Sequence, residues 1–192
     1  MTVTESGATY NRLARALHWT MAGLVLLQIS FGVIMTYQGP EPNLWASLAN
    51  ALGIYDLHKL LGLVLLTLVV VRLANRLLRG APPSEPTLAP WQRESATLVH
   101  SWIYLLLVLV PMLGWIGVSL YPALTVFGVI NLPALTAPDR PLSETVLAVH
   151  ALAAFALLAL IATHVGAALY HHFVRRDGVL RRMWPGLKAP GG

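Results

Sequence analysis

His150 and His164 stand fourteen residues apart inside a stretch, Thr145 to Leu169, that contains no Asp, Glu, Lys or Arg. An imidazole in such surroundings can ligate a transition metal or move a proton, and hydrocarbon tolerates it only where it faces a bundle interior or a partner. Fourteen helical residues rise about 21 Å and stop roughly 40° short of four turns, so the two rings share nearly one face at two depths. His171 continues that face toward the end of the segment, which runs from Glu144 to Phe173 and carries four of the seven histidines. Small residues surround the pair, among them Ala151, Ala153, Ala154, Gly166 and Ala167, leaving room for a flat, bulky ligand. A lone intramembrane histidine is as readily a hydrogen-bonded packing residue as a ligand. Two at this spacing require partners elsewhere in the chain.

Composition sets the environment in which those partners must be found. Hydrophobic residues make up 56% of the 192 residues, charged residues 11%, and the mean hydropathy is +0.65, which describes a polytopic membrane protein rather than a soluble domain. The chain has no cysteine. That excludes disulfides, thiolate metal sites, cysteine-held iron–sulfur clusters and thioether attachment of haem, so any haem is held by axial ligands and non-covalent contacts.

Four apolar segments are expected to cross the bilayer as helices, at roughly residues 13–37, 57–78, 97–121 and 145–173. The whole chain, 1–192, reads as one all-α, four-helix integral membrane bundle. Its first twelve residues read as a short tail before a retained helix, not a cleaved signal. Gln38 to Asp56 forms a loop whose WASLANAL portion is a candidate surface helix. Gly80 to Pro90, with four prolines, is an irregular linker, and Pro122 to Ser143 is a loop apolar enough to lie on the membrane. Pro111 is expected to bend the third helix without ending it. Ser143, followed by Glu144, is the expected cap of the fourth. Gly23 and Gly32 offer close approach in the first.

Eleven basic residues (Arg12, Arg15, Arg72, Arg76, Arg79, Arg93, Arg175, Arg176, Arg181, Arg182 and Lys188) fall on the side shared by both termini, against Lys59 and Arg140 on the other. This bias places both termini in the cytoplasm. The pI near 10 then reflects topology and anionic lipid, and nucleic acid is not the expected partner.

Depths can now be matched. His18, early in the first helix, and His164, late in the fourth, belong to the cytoplasmic half. His58, early in the second, and His150, early in the fourth, belong to the opposite half. The outcome is two imidazole pairs about 21 Å apart along the membrane normal. A porphyrin iron needs axial ligands on opposite faces of a disc, which two helices supply and adjacent turns of one helix cannot. Two non-covalent b-type haems therefore fit, and with both axial positions filled the expected chemistry is electron transfer. Arg72 lies fourteen residues after His58 on nearly the same face. It either snorkels to the interface or pairs with an anionic cofactor group.

The RALHW start, LHKLLG leading into VVRLANRLLR, HSWIYLLL, and the H-x13-H helix ending in HH resemble the bacterial cytochrome b561 family, of the type that includes superoxide oxidase. The likeness spans about residues 10 to 185. It implies a four-helix di-haem protein of the bacterial inner membrane, with His18 and His164 on the cytoplasmic-side haem and His58 and His150 on the periplasmic-side haem. It further implies electron flow from superoxide to ubiquinone, with His100 and His171 beside the quinone, and Arg72, Arg76 and Arg175 as cations for a haem propionate or the quinone. His172, about 100° around from His171, is expected at the surface. Two other classes stay open: a cytochrome b subunit serving a membrane dehydrogenase or hydrogenase, and a transition-metal transporter, whose ligands would converge at mid-membrane.

Overall fold

The computed structural model describes residues 9–36 and 44–187. The expectations for the first residues of the tail, for the loop stretch Gln38 to Asn43 and for Lys188 lie outside the described residues.

Four helices are long and apolar enough to cross a membrane: α1 (Arg12–Thr36), α3 (Ile54–Arg79), α4 (Pro90–Leu120) and α5 (Arg140–Tyr170). The short α2 (Leu44–Ala51) lies between the first two, where WASLANAL was expected to form a helix. Helices α1 and α3 pack together, α3 lies against α4, and α4 against α5. The backbone of α5 makes little close approach to α1 or α3, so what bridges that seam is side chains. The molecule is a membrane four-helix bundle.

The helices outrun the apolar windows where capping chemistry permits. Helix α4 begins at Pro90, well before Thr97, because proline suits the first helical turn and the Gln92 side chain accepts a hydrogen bond from the Ala89 N–H at 3.0 Å. Pro111 sits inside the helix without ending it. Helix α5 begins at Arg140, and its cap is Asp139, whose carboxylate accepts from the Leu142 N–H at 3.1 Å. The expected cap, Ser143, lies within the first turn instead. It is fully buried, and its hydroxyl donates to the Gly117 carbonyl of α4 at 3.2 Å. A serine before an apolar run signals a cap only when no better acceptor stands upstream, and here Asp139 does.

The loop between α4 and α5 is more ordered than its composition implies. Thr125–Val126 (β1) and Ile130–Asn131 (β2) pair antiparallel, with Val126 wholly buried. This hairpin is clamped to the start of α3. Asp56 accepts from the Phe127 N–H at 2.8 Å and pairs with Lys59 at 2.7 Å, while Lys59 donates to the Thr125 carbonyl at 2.6 Å.

At the opposite end the termini and the α3–α4 linker meet. The Tyr10 N–H donates to the Arg182 carbonyl, the Trp19 indole donates to the Met183 carbonyl at 3.1 Å, and Trp19 stacks edgewise on Trp184. Arg182 donates to the Pro83 carbonyl and Arg175 to that of Thr87. Arg175 and Arg182, two of the basic residues counted on the side of the termini, thus meet the α3–α4 linker at this end.

Candidate functional site

Helix α5 presents His150 and His164 along its inward edge, where His150 meets the ring of His58 and His164 those of His18 and His100. His18 of α1 and His164 lie with ring centroids 6.1 Å apart and planes at 82°. His58 of α3 and His150 are also 6.1 Å apart, at 85°. Both pairs match the depths expected from the sequence. Two metal–imidazole bonds of about 2 Å plus the two ring radii come to roughly 6 Å, so either couple accepts one metal centre between its rings.

The second ring nitrogen of each histidine decides how well it can serve as a ligand, because a metal-binding imidazole is ordinarily held by a bond from its other N–H. On His150, Nδ1 donates to the Val110 carbonyl of α4 at 2.8 Å, which leaves Nε2 for a ligand. Gly114 makes room for this approach, since a Cβ there would lie 3.1 Å from His150 Cε1. His58 is steadied through its backbone, with the Gln28 side-chain amide donating to the His58 carbonyl at 3.0 Å. Its Nδ1 is buried without a partner. Gly32 faces the His58 ring, a Cβ there falling 3.5 Å from Cε1, whereas Gly23 faces open space.

Around His18 and His164 the surroundings are cationic. Arg72, half-buried, turns toward the neighbouring helices: it donates to the Ala14 carbonyl at 2.7 Å and the Tyr104 hydroxyl at 3.0 Å, and its Nη2 lies 3.4 Å from His18 Nδ1. Arg76 lies 5.7 Å from the centroid of the same tyrosine ring. His100 joins this group, its ring centroid 5.0 Å from that of His164.

His171 and Arg175 are drawn elsewhere. His171 Nδ1 pairs with Asp177 at 2.5 Å, and Arg175 approaches the same carboxylate at 3.7 Å. His172, expected at the surface, is only 8% exposed. The helix leaves its α-helical course here through a π turn, His171–Arg175, after which the Asp177 N–H bonds back to the His171 carbonyl and the tail returns toward the start of α1. Sequence reasoning missed Tyr104, Gly114 and Asp177. Tyr104 was accessible, standing one turn after His100 on the same face. Gly114 and Asp177 carry no local signal, because their roles depend on a neighbouring helix and a folded tail.

A membrane helical bundle that brings imidazoles from separate spans together in pairs defines a membrane cytochrome of the b type. Comparison with known proteins agrees: the family described as Prokaryotic cytochrome b561 matches residues 9–186. The chain belongs to the prokaryotic cytochrome b561 family, whose members bind b-type haem and carry electrons through the membrane. It is 29% identical to "Cytochrome b561 homolog 2" of Escherichia coli (strain K12), covering 95% of each chain. It is 33% identical to "Cytochrome b562" of Cereibacter sphaeroides, over 91% of this chain and 94% of that one. To "Probable superoxide oxidase CybB" of Yersinia pestis it is 29% identical, over 92% of this chain and 96% of that one.

Proposed function

We propose that residues 1–192 act as one unit that carries electrons across the bacterial inner membrane through two haem b groups. His18 and His164 hold one near the cytoplasmic face, and His58 and His150 hold the other near the periplasmic face. The observation that supports this most directly is the repeated 6.1 Å spacing of two imidazole couples at different depths. Held by these histidines, haem would supply one-electron chemistry. A bare ion in a transporter calls for about four protein ligands, and among the described residues no group of three or more His, Asp or Glu is placed to hold one. A pair of imidazoles suffices when a macrocycle provides the remaining ligands.

The electron donor in this reading is superoxide and the acceptor is ubiquinone. The similarity to the probable superoxide oxidase of Yersinia pestis supports the donor. His100, beside His164, and His171, paired with Asp177, are the residues that would hand protons to the reduced quinone. Arg72 and Arg76 would meet anionic carboxylates of the cofactor or the polar head of the quinone. Arg175 is tied to Asp177 and Thr87 and would act on the quinone side only through that carboxylate. Both termini face the cytoplasm, following the eleven-to-two distribution of basic residues.

The test is a reduced-minus-oxidised spectrum of the purified protein with haem quantification, followed by stopped-flow mixing with superoxide and then ubiquinone. Two haems per chain, reduced by superoxide and reoxidised by ubiquinone, are expected. Two haems without the superoxide reaction would move the function to an electron-carrying subunit for a dehydrogenase or hydrogenase. A colourless protein from haem-replete cells would end the haem reading.

A further inference from the structure

The two imidazole couples are alike in spacing, and one ring of each, His150 and His18, is backed in the opposite way. Behind His150 is an acceptor, the Val110 carbonyl at 2.8 Å from Nδ1. Its approach depends on Gly114, where a Cβ would lie 3.3 Å from Nδ1 and displace the ring. Behind His18 is a cation that can only donate, the Arg72 guanidinium, with Nη2 3.4 Å from Nδ1. Arg76 reinforces that charge on the Tyr104 ring, 5.7 Å from its centroid.

We propose that Val110 and Gly114 of α4 and Arg72 of α3 are positioning residues that set the two couples at different reduction potentials, lower at His58/His150 and higher at His18/His164. The proposal rests on reading the couples as haem ligands. A ring whose second N–H is bonded to a carbonyl is the more basic ligand and favours the oxidised metal. A guanidinium beside the ring opposes the extra positive charge of the oxidised state and so favours the reduced one. Where Val110 offers His150 Nδ1 an acceptor, Arg72 offers His18 Nδ1 none, so both influences act in the same direction. One electron given up at the hairpin end is then taken up at the basic end in a downhill step. The bundle has a built-in direction, from the His58/His150 level to the His18/His164 level.

The experiment is a spectroelectrochemical titration of the haem-loaded protein, wild type and variants, with haem content measured in each. His150→Ala, which leaves the His18/His164 couple intact, assigns the two waves. The wild type is expected to show two waves with the His18/His164 wave higher. Arg72→Gln should lower that wave by about tenfold in the oxidised-to-reduced ratio, about 59 mV for a one-electron couple. Arg72→Lys, which keeps the charge, should restore most of it. Gly114→Ala should raise the other wave several-fold and leave the His18/His164 wave in place. Coincident waves, a reversed order, or a Gly114→Ala shift confined to the His18/His164 wave would overturn the proposal while leaving two-haem binding intact. A wild-type protein with fewer than two haems would instead remove the ligand assignment, and this inference with it.

Discussion

Each imidazole in the bundle has two nitrogens, and the neighbours decide which of them is free to bind. His150 is the clearest case, because its Nδ1 is committed to the Val110 carbonyl and its Nε2 is left to face His58. We expect His150→Ala to remove one haem and retain the other, and His164→Ala to remove the other; pyridine haemochrome quantification on each variant checks this. If His150→Ala removed neither haem, the pairing would be wrong. Gln28 acts one step back, holding the His58 carbonyl at 3.0 Å across the α1–α3 contact. Interhelical hydrogen bonds of this type contribute about 0.6 kcal/mol on average in membrane bundles. Gln28→Leu should therefore reduce stability by about that amount, measured by equilibrium unfolding in mixed micelles, and loosen the haem held by His58 and His150 more than the other. An equal effect on both haems would assign Gln28 to general packing.

At the scale of elements, the α4–α5 pair forms the frame against which the histidine face of α5 is set. A close passage is at Gly117, where a Cβ would lie 2.4 Å from Leu147 Cδ2, and Ser143 bonds to the Gly117 carbonyl beside it. Gly117→Ala brings a methyl into collision with the Leu147 side chain, which must shift, an overpacking that costs about 1–3 kcal/mol. Lower thermal stability should be accompanied by weaker haem retention at the His58/His150 level, three residues from Leu147; recovery by Leu147→Ala in the double variant would locate the collision. The sequence made the four spans and their histidine face legible because both depend on strong local regularities, apolar length and helical period. The Asp139 cap, the hairpin and the π turn were not legible in that way. Asp56 and Lys59 read as two charges near a helix start, and only the folded loop shows that together they hold Phe127 and Thr125 in place. The Ser143 misreading has the same origin, since the competing acceptor lay in a stretch read as loop. His172 shows the complementary limit: a helical step places a residue on a face, but whether that face is covered depends on the tail that returns to this end of the bundle.

Over the whole molecule, charge is segregated, and this bears on how an anionic donor would arrive. Among the described residues the hairpin end carries only Lys59 and Arg140 as basic residues, against Asp56, Asp139 and Glu144. Both cations are engaged: Lys59 on Asp56 and the hairpin carbonyls, Arg140 against the Tyr121 ring at 4.7 Å from its centroid. Of the acids, Asp56 is bound to Lys59 and Phe127 and Asp139 caps α5. The field at this end is therefore neutral to negative, the opposite of the funnel that raises the arrival rate of a small anion. Salt weakens whichever sign of interaction prevails. For a donor bearing one negative charge, the second-order rate of haem reduction should thus stay level or rise as ionic strength increases from about 10 mM to about 200 mM. Stopped-flow measurement with superoxide across that range tests it. A rate falling severalfold would reveal a local cationic path that the described residues do not form. Neutralising Lys59 makes the control, because Lys59→Met should act through release of the hairpin, detected as faster proteolysis between Pro122 and Asp139, before it acts through charge.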